Sequence, residues 1–119
     1  MINVRTALIL ASLSALAGQA HAALLQQVQP LSTSYVEGTD FSVAFSSGSG
    51  DVTARVFNVD LNLAAPGSAS SGCEAADFAG FVPGSIALIQ RGVCTFNVKA
   101  TNAFNAGAVG ALIFNSLPG

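Results

Sequence analysis

The sequence predicts an α+β protein, mainly β, whose centre is a βαβ unit with one main flanking helix. Two short apolar runs, 85–90 and 109–115, have the length and continuity of buried strands. Residues 96–106, between them, show helical spacing. A strand, a helix and a second strand in this order normally give parallel strands with a right-handed crossover. We expect the upstream residues to supply further β-structure that packs against this unit.

Three upstream segments carry the remaining β-signal. Residues 52–63 alternate best and predict one long strand. Its apolar face would hold Phe57, Val59, Leu61 and Leu63. Residues 35–45 predict a second strand with Phe41, Val43 and Phe45 on one face, and residues 23–34 predict an extended lead-in. Residues 74–78 predict a single helical turn before the first buried strand.

The predicted helix has recognisable ends and an apolar side. Thr95 is placed as its N-cap and Gly107 as the glycine that follows its last turn. Its apolar face would hold Phe96, Ala100, Ala103 and Phe104, because they recur at helical spacing. We expect Lys99 to be solvated on the opposite side and Asn102 to hydrogen-bond loop backbone. The predicted core consists of Ile86, Leu88, Ile89, Phe104, Leu112, Ile113 and Phe114.

The first 22 residues predict a secretory signal peptide. Arg5 supplies a basic start, residues 7–16 are mostly apolar, and Ala20-His21-Ala22 fits a cleavage signal before Ala23. The alternative, a membrane anchor, is disfavoured because the apolar run is too short to span a bilayer. A secreted or periplasmic protein without membrane attachment after cleavage is therefore predicted. The remaining chain carries three basic and six acidic side chains, a charge of −3, which argues against nucleic-acid binding.

Export makes a disulfide between Cys73 and Cys94 the favoured state of the two cysteines. It would close a loop of about 20 residues, worth roughly 3 kcal/mol in the chain-entropy account. Two free buried thiols are the alternative.

The sequence offers little for catalysis. The single histidine, His21, lies in the predicted signal peptide, so the remaining chain has no imidazole to act as a base or a zinc ligand. No catalytic residue, cofactor site or metal site is predicted. Glu74 and Asp77 form a possible carboxylate pair, but nothing else suggests a sugar cleft. Arg91 directly follows a buried strand, and we expect a structural ion pair with Asp77 or Glu74.

A set of fixed spacings resembles the protease-associated (PA) domain. The resemblance covers roughly residues 46–115 and is densest from Gly72 onward. It is carried by Gly72-Cys73, Asp77-Phe78, Gly84-Ser85-Ile86-Ala87-Leu88-Ile89, Arg91-Gly92-x-Cys94-x-Phe96, Lys99, Asn102-Ala103 and Ala106-Gly107-Ala108-Val109-Gly110. The local sequence is most similar to the PA inserts of secreted bacterial zinc aminopeptidases in two places, Gly48-Ser49-Gly50-Asp51-Val52 and Ser71-Gly72-Cys73.

The resemblance implies a β-sandwich or open barrel and a non-catalytic accessory role. Residues 1–22 would be the signal peptide, 23–45 a lead-in with a first strand, and 46–119 the N-terminal portion of a PA domain. Because such domains continue with further strands, the resemblance implies that the sheet is incomplete here. The expected function is interaction with a peptide or protein ligand, or control of substrate access for a protease. The alternative is a fragment of a secreted zinc-dependent aminopeptidase, whose catalytic domain would then be the partner.

Overall fold

The structure, a computed structural model, describes residues 24–43 and 50–117. The chain divides into two compact units, residues 1–48 and 49–119. The predicted signal peptide lies outside the described residues. No helix within the described ranges has the length and apolar character needed to cross a membrane.

The first unit contains a small antiparallel hairpin. Strand β1 (Leu25–Gln27) pairs with strand β2 (Thr33–Tyr35). The predicted strand over residues 35–45 is wrong, because β2 ends at Tyr35 and a turn follows at once. In that turn the backbone N–H of Val36 donates to the Asp40 carboxylate at 2.8 Å. Phe41 makes only an isolated bridge with Glu37, Val43 is exposed, and Phe45 lies outside the described residues.

The second unit contains a three-stranded parallel sheet and one α-helix. Strand β4 (Ile86–Gln90) lies in the middle, between β3 (Val56–Val59) and β5 (Gly110–Phe114). The helix α1 (Phe96–Asn105) connects β4 to β5, and the register places Ile86 opposite Gly110. This arrangement confirms the predicted βαβ unit and the α+β fold class. Within the described residues β5 pairs with β4 alone, and the sheet is not a closed barrel.

The caps of α1 follow the sequence prediction. The Thr95 hydroxyl accepts a hydrogen bond from the Val98 N–H at 3.4 Å. At the other end Gly107 has a φ of 85°, the left-handed conformation that glycine adopts without steric cost. Its N–H donates to the carbonyl of Phe104 at 2.9 Å.

Strand β3 is shorter than the alternation over residues 52–63 predicts. It ends at Val59 because Asp60 has a φ of 38°, which turns the chain out of the sheet. The backbone of Asn62 is then held by the side chain of Gln90, outside any strand ladder. Leu63 is consequently 69% exposed, although its place in the pattern predicts a buried position.

The core lies where α1 packs on one face of the sheet. It consists of Val59, Phe78, Ala87, Ile89 and Ala103, with Phe81, Ala106, Ala108 and Ile113 packed against it. Phe81 meets two other rings edge to face, Phe78 with centroids 5.7 Å apart and Phe57 at 6.1 Å. Such pairs add to the stabilisation from apolar burial.

The predicted core is correct for Ile89 and wrong for Phe104, which is 78% exposed. The inward stripe consists of Lys99 and Ala103 of α1 and the C-cap residue Ala106, at positions i, i+4 and i+7. Phe104 is displaced from this stripe by one residue. The other predicted core residues, Ile86, Leu88, Leu112, Ile113 and Phe114, are half-buried. Apart from Ile113, these residues alternate with core positions along β4 and β5, on the sheet face away from α1.

Candidate functional site

The candidate site is the loop 71–73 with the 3₁₀-helix Ala75–Phe78, which lie beside α1. A tight fit at Gly72 sets the path of this loop. Gly72 has a φ of 71°, and a Cβ added there would lie 2.9 Å from Cγ2 of Ile89. The buried strand β4 therefore permits only glycine here without a shift of the Ile89 side chain.

A disulfide joins this loop to the residue before the N-cap of α1. Cys73 and Cys94 are bonded, with their Cα atoms 5.8 Å apart. The structure thus contains the bridge that the sequence predicts. The bridge ties the start of the 3₁₀-helix to the turn that leads into α1.

Lys99 lies beneath this bridge and not in solvent, so the predicted exposed position is wrong. Its side chain is fully buried, and its Nζ donates to the carbonyl of Ser71 and lies 3.7 Å from Sγ of Cys73. Burial lowers the pKa of Lys99 below its usual value, and the Asp77 carboxylate opposes this shift. A buried ammonium of this kind needs its hydrogen-bond partners, because an unpaired buried charge is strongly destabilising.

Asn102 makes the second hydrogen bond from α1 to the same loop. Its Nδ2 donates to the carbonyl of Gly72 at 3.1 Å, which confirms the predicted contact with loop backbone. Lys99 and Asn102 are three residues apart, so they project from the same side of the helix. The loop is therefore held by a covalent bridge and by two hydrogen bonds that do not depend on it.

The expected ion pair of Arg91 is absent from the described residues. Its guanidinium donates to Oδ1 of Asn115 at 3.2 Å and lies 6.0 Å from the ring centre of Phe96. The Asp77 carboxylate instead accepts the N–H of Glu74 at 3.0 Å, which caps the 3₁₀-helix. The predicted arrangement is wrong because the two carboxylates serve the start of this helix.

A buried polar network that the sequence analysis missed supports the loop. The Ser71 hydroxyl donates to the carbonyl of Val59 and accepts the N–H of Gln90 at 3.0 Å. The Gln90 amide accepts the N–H of Asn62 at 2.8 Å and donates to its carbonyl at 3.1 Å. The sequence feature that could have indicated this network is Gln90 at the end of an apolar strand, because a buried amide requires hydrogen-bond partners.

A groove of about 280 Å³ lies between the 3₁₀-helix and α1. Its lining combines two aromatic rings, two alanines and two amide side chains: Phe78, Phe81, Ala75, Ala106, Asn102 and Asn105. Its accessible lining is polar and apolar in similar proportion. Among the described residues, no three His, Cys, Asp or Glu side chains group so as to hold a metal ion.

Comparison with known proteins supports the resemblance. The family model of the PA domain matches residues 52–119. An aminopeptidase of Pseudomonas aeruginosa (strain UCBPP-PA14) is 52% identical over 91 residues, which are 76% of this chain and 17% of that protein. Leucine aminopeptidase 2 of Trichophyton equinum is 46% identical over 50 residues, which are 42% of this chain and 10% of that protein. The chain thus spans less than a fifth of the length of these relatives.

Proposed function

This chain belongs to the PA domain family, and on that basis we propose that it is a non-catalytic, exported module that mediates peptide or protein interaction or controls substrate access for a protease. The strongest support for this proposal is the 52% identity with an aminopeptidase over 91 residues that include most of the described structure. The disulfide also supports export, since such bridges persist in oxidising compartments. In this role the module contacts peptide substrates and influences their access to a catalytic domain.

The groove beside the loop is the surface we assign to peptide contact. It offers the partly exposed ring of Phe81 for apolar side chains and the amide of Asn105 for a peptide backbone, with the buried Phe78 behind them. The disulfide and the hydrogen bonds of Lys99 and Asn102 fix one wall of the groove against α1. A fixed wall reduces the ordering cost of binding.

A chimera tests this proposal. The homologous region of the P. aeruginosa aminopeptidase is replaced by that of this chain, and two variants are compared within it. Asn105→Arg obstructs the groove, whereas Asn97→Arg places the same change on the exposed side of α1, away from the groove. We expect Asn105→Arg to raise the KM for tetrapeptides about three- to tenfold and to leave aminoacyl anilides unaffected. Equal effects of both variants, or equal effects on both substrates, would contradict the proposal.

The chain by itself is expected to have no hydrolytic activity, because no histidine follows residue 22 and an imidazole is therefore not available as a base or as a zinc ligand. The measurement is hydrolysis of aminoacyl and peptide substrates by the purified chain with and without zinc. Activity that co-purifies with the chain and disappears in Glu74→Ala or Asp77→Ala would overturn this prediction.

A second candidate is that the chain is one segment of a longer zinc-dependent aminopeptidase. The coverage of only 17% of the P. aeruginosa relative favours it. Neighbouring coding sequence that specifies histidine and carboxylate metal ligands would support this candidate. A stable stand-alone chain that binds peptides without a catalytic domain would support the first.

A further inference from the structure

The two sulfurs of the disulfide have different electrostatic surroundings. Sγ of Cys73 lies 3.7 Å from Nζ of Lys99, whereas Sγ of Cys94 has no hydrogen-bond partner within the described residues. The bridge is not sealed in the core, because both cysteines are partly exposed and Val93 beside Cys94 is exposed. Glu74 beside Cys73 is exposed as well, so a thiol from solution can reach the bridge, and the positive charge near Cys73 is the feature that distinguishes the two sulfurs.

Asp77 is the charged group that acts on Lys99, and its carboxylate favours the ammonium form. The remaining close partner of Nζ is the carbonyl of Ser71, an acceptor that also favours the protonated amine. An ammonium at this distance stabilises a thiolate that forms on Cys73. Thiol–disulfide exchange is faster when the leaving sulfur is the better thiolate.

We propose that the bridge is a thiol-exchange site with a fixed direction, in which an incoming thiolate becomes attached to Cys94 and Cys73 leaves as a thiolate beside Lys99. The new bond joins the incoming sulfur to Sγ of Cys94, and the Cys73–Cys94 bond breaks with its electron pair on Sγ of Cys73. A second thiolate attacks the incoming sulfur, forms a small-molecule disulfide and releases Cys94, which takes up a proton. The chain has then gained two electrons and the two thiols have lost them.

The fold keeps the opened bridge close to its starting geometry. Lys99 and Asn102 still bind the carbonyls of Ser71 and Gly72, so the Cys73 loop remains on α1 when the disulfide is broken. The two cysteines therefore stay close enough to re-form the bridge when a small-molecule disulfide is present as the oxidant. The 3₁₀-helix Ala75–Phe78, which follows Cys73 and lines the groove, loses its covalent tie to the start of α1 in the opened form.

Mapping the mixed disulfide tests the direction on the unaltered full chain. The oxidised, folded chain is incubated with a limited amount of glutathione, quenched with acid, alkylated and analysed by peptide mass spectrometry. We expect glutathione on Cys94 and alkylation on Cys73, with an excess of about fivefold or more over the opposite pattern. The same reaction in denaturant should show no preference. Equal labelling of the two cysteines in the folded chain, labelling mainly on Cys73, or adducts only in denaturant would overturn the proposal.

Two variants then separate charge from loop attachment. Lys99→Gln removes the positive charge, and we expect it to abolish the preference for Cys94 and to slow opening of the bridge. Asn102→Ala removes the other hydrogen bond to the same loop with no change of charge, and it should keep the preference. Loss of the preference in Asn102→Ala, or its survival in a folded Lys99→Gln chain, would refute the role of Lys99. If Lys99→Gln does not fold, the mapping on the unaltered chain and on Asn102→Ala still decides the direction.

Discussion

The burial of a single residue, Lys99, makes the free energy of unfolding depend on pH. Its pKa in the folded chain is lowered from the ordinary 10.5, mainly by desolvation. Between the lowered value and 10.5 the unfolded chain holds a proton that the folded chain has released, so stability rises with pH through this window. Below the window both states are protonated and the unfavourable contribution of burying the charge is present in full.

We therefore predict that Lys99→Met removes this rise in stability with pH. Urea melts of the oxidised chain from neutral pH to about 10.5 provide the measurement. Asn102→Ala, which leaves Lys99 in place, should keep the rise. Parallel stability profiles for the unaltered chain and Lys99→Met would show that the buried amine is not the titrating group.

Gly92 is a second residue whose surroundings decide what can replace it. The N–H of Val93 donates to the carbonyl of Ala69 at 3.1 Å, and this contact brings the two backbones together at Gly92. A Cβ at Gly92 would lie 2.8 Å from the Ala69 carbonyl carbon and closer still to its oxygen. Because the obstacle is backbone, no rotamer change can relieve it.

Gly92→Ala is accordingly expected to destabilise the chain by about 3 kcal/mol or more. Gly67→Ala is the matched control, since a Cβ there has no neighbour within 4 Å, and its effect should stay within about 0.5 kcal/mol. Denaturant unfolding of both variants measures the difference. Similar free energies of unfolding for the two variants would mean that the Ala69 segment moves aside easily.

Among the helices and strands, the sequence correctly predicted the features that depend on residues adjacent in the chain. The apolar runs of β4 and β5, the Thr95 cap and the Gly107 stop depend on neighbouring residues, and the structure agrees with each. The end of β3 could not be predicted, because it depends on the left-handed Asp60 and on a hydrogen bond that the Asn62 N–H donates to Gln90, which is distant in sequence.

The hydropathy pattern also could not predict which side of α1 faces the core. Hydropathy alone favours Phe104 over Lys99 as an inward residue. The lysine is inward because the Ser71 carbonyl and the bridge lie opposite it, and only the assembled loop provides these partners. The same long-range origin explains why the polar network of Ser71 and Gln90 escaped the sequence analysis.

The observed rotation of α1 predicts opposite outcomes at two adjacent residues. Phe104→Gln should change the free energy of unfolding by no more than about 0.5 kcal/mol, because the ring is 78% exposed. Ala103→Leu should destabilise by about 1–3 kcal/mol, because Ala103 is buried in the core. Thermal or urea melts of the two variants give the comparison. A larger loss of stability for Phe104→Gln than for Ala103→Leu would mean that Phe104 faces the core, as the sequence predicted.

For the whole molecule, the sheet of the second unit has two unlike faces. α1 covers one face, whereas Ile86, Leu88, Leu112 and Phe114 on the other are only half-buried. Strand β5 also has a single neighbour within the described residues, so its outer backbone groups are available for pairing. Half-exposed apolar surface beside an unpaired edge promotes association.

We predict that the isolated chain is only marginally stable and self-associates through this sheet face and edge. The net stability of a folded domain is only about 5–15 kcal/mol, so half-exposed apolar side chains on this face are a substantial loss against it. Light scattering at several concentrations should show species larger than a monomer. Leu112→Glu, which places a charge on the half-buried face, should shift them toward the monomer, whereas Thr101→Glu on the exposed side of α1 should not. A chain that is monomeric at all concentrations, with one sharp unfolding transition, would mean that this face and edge are already satisfied within the 119 residues.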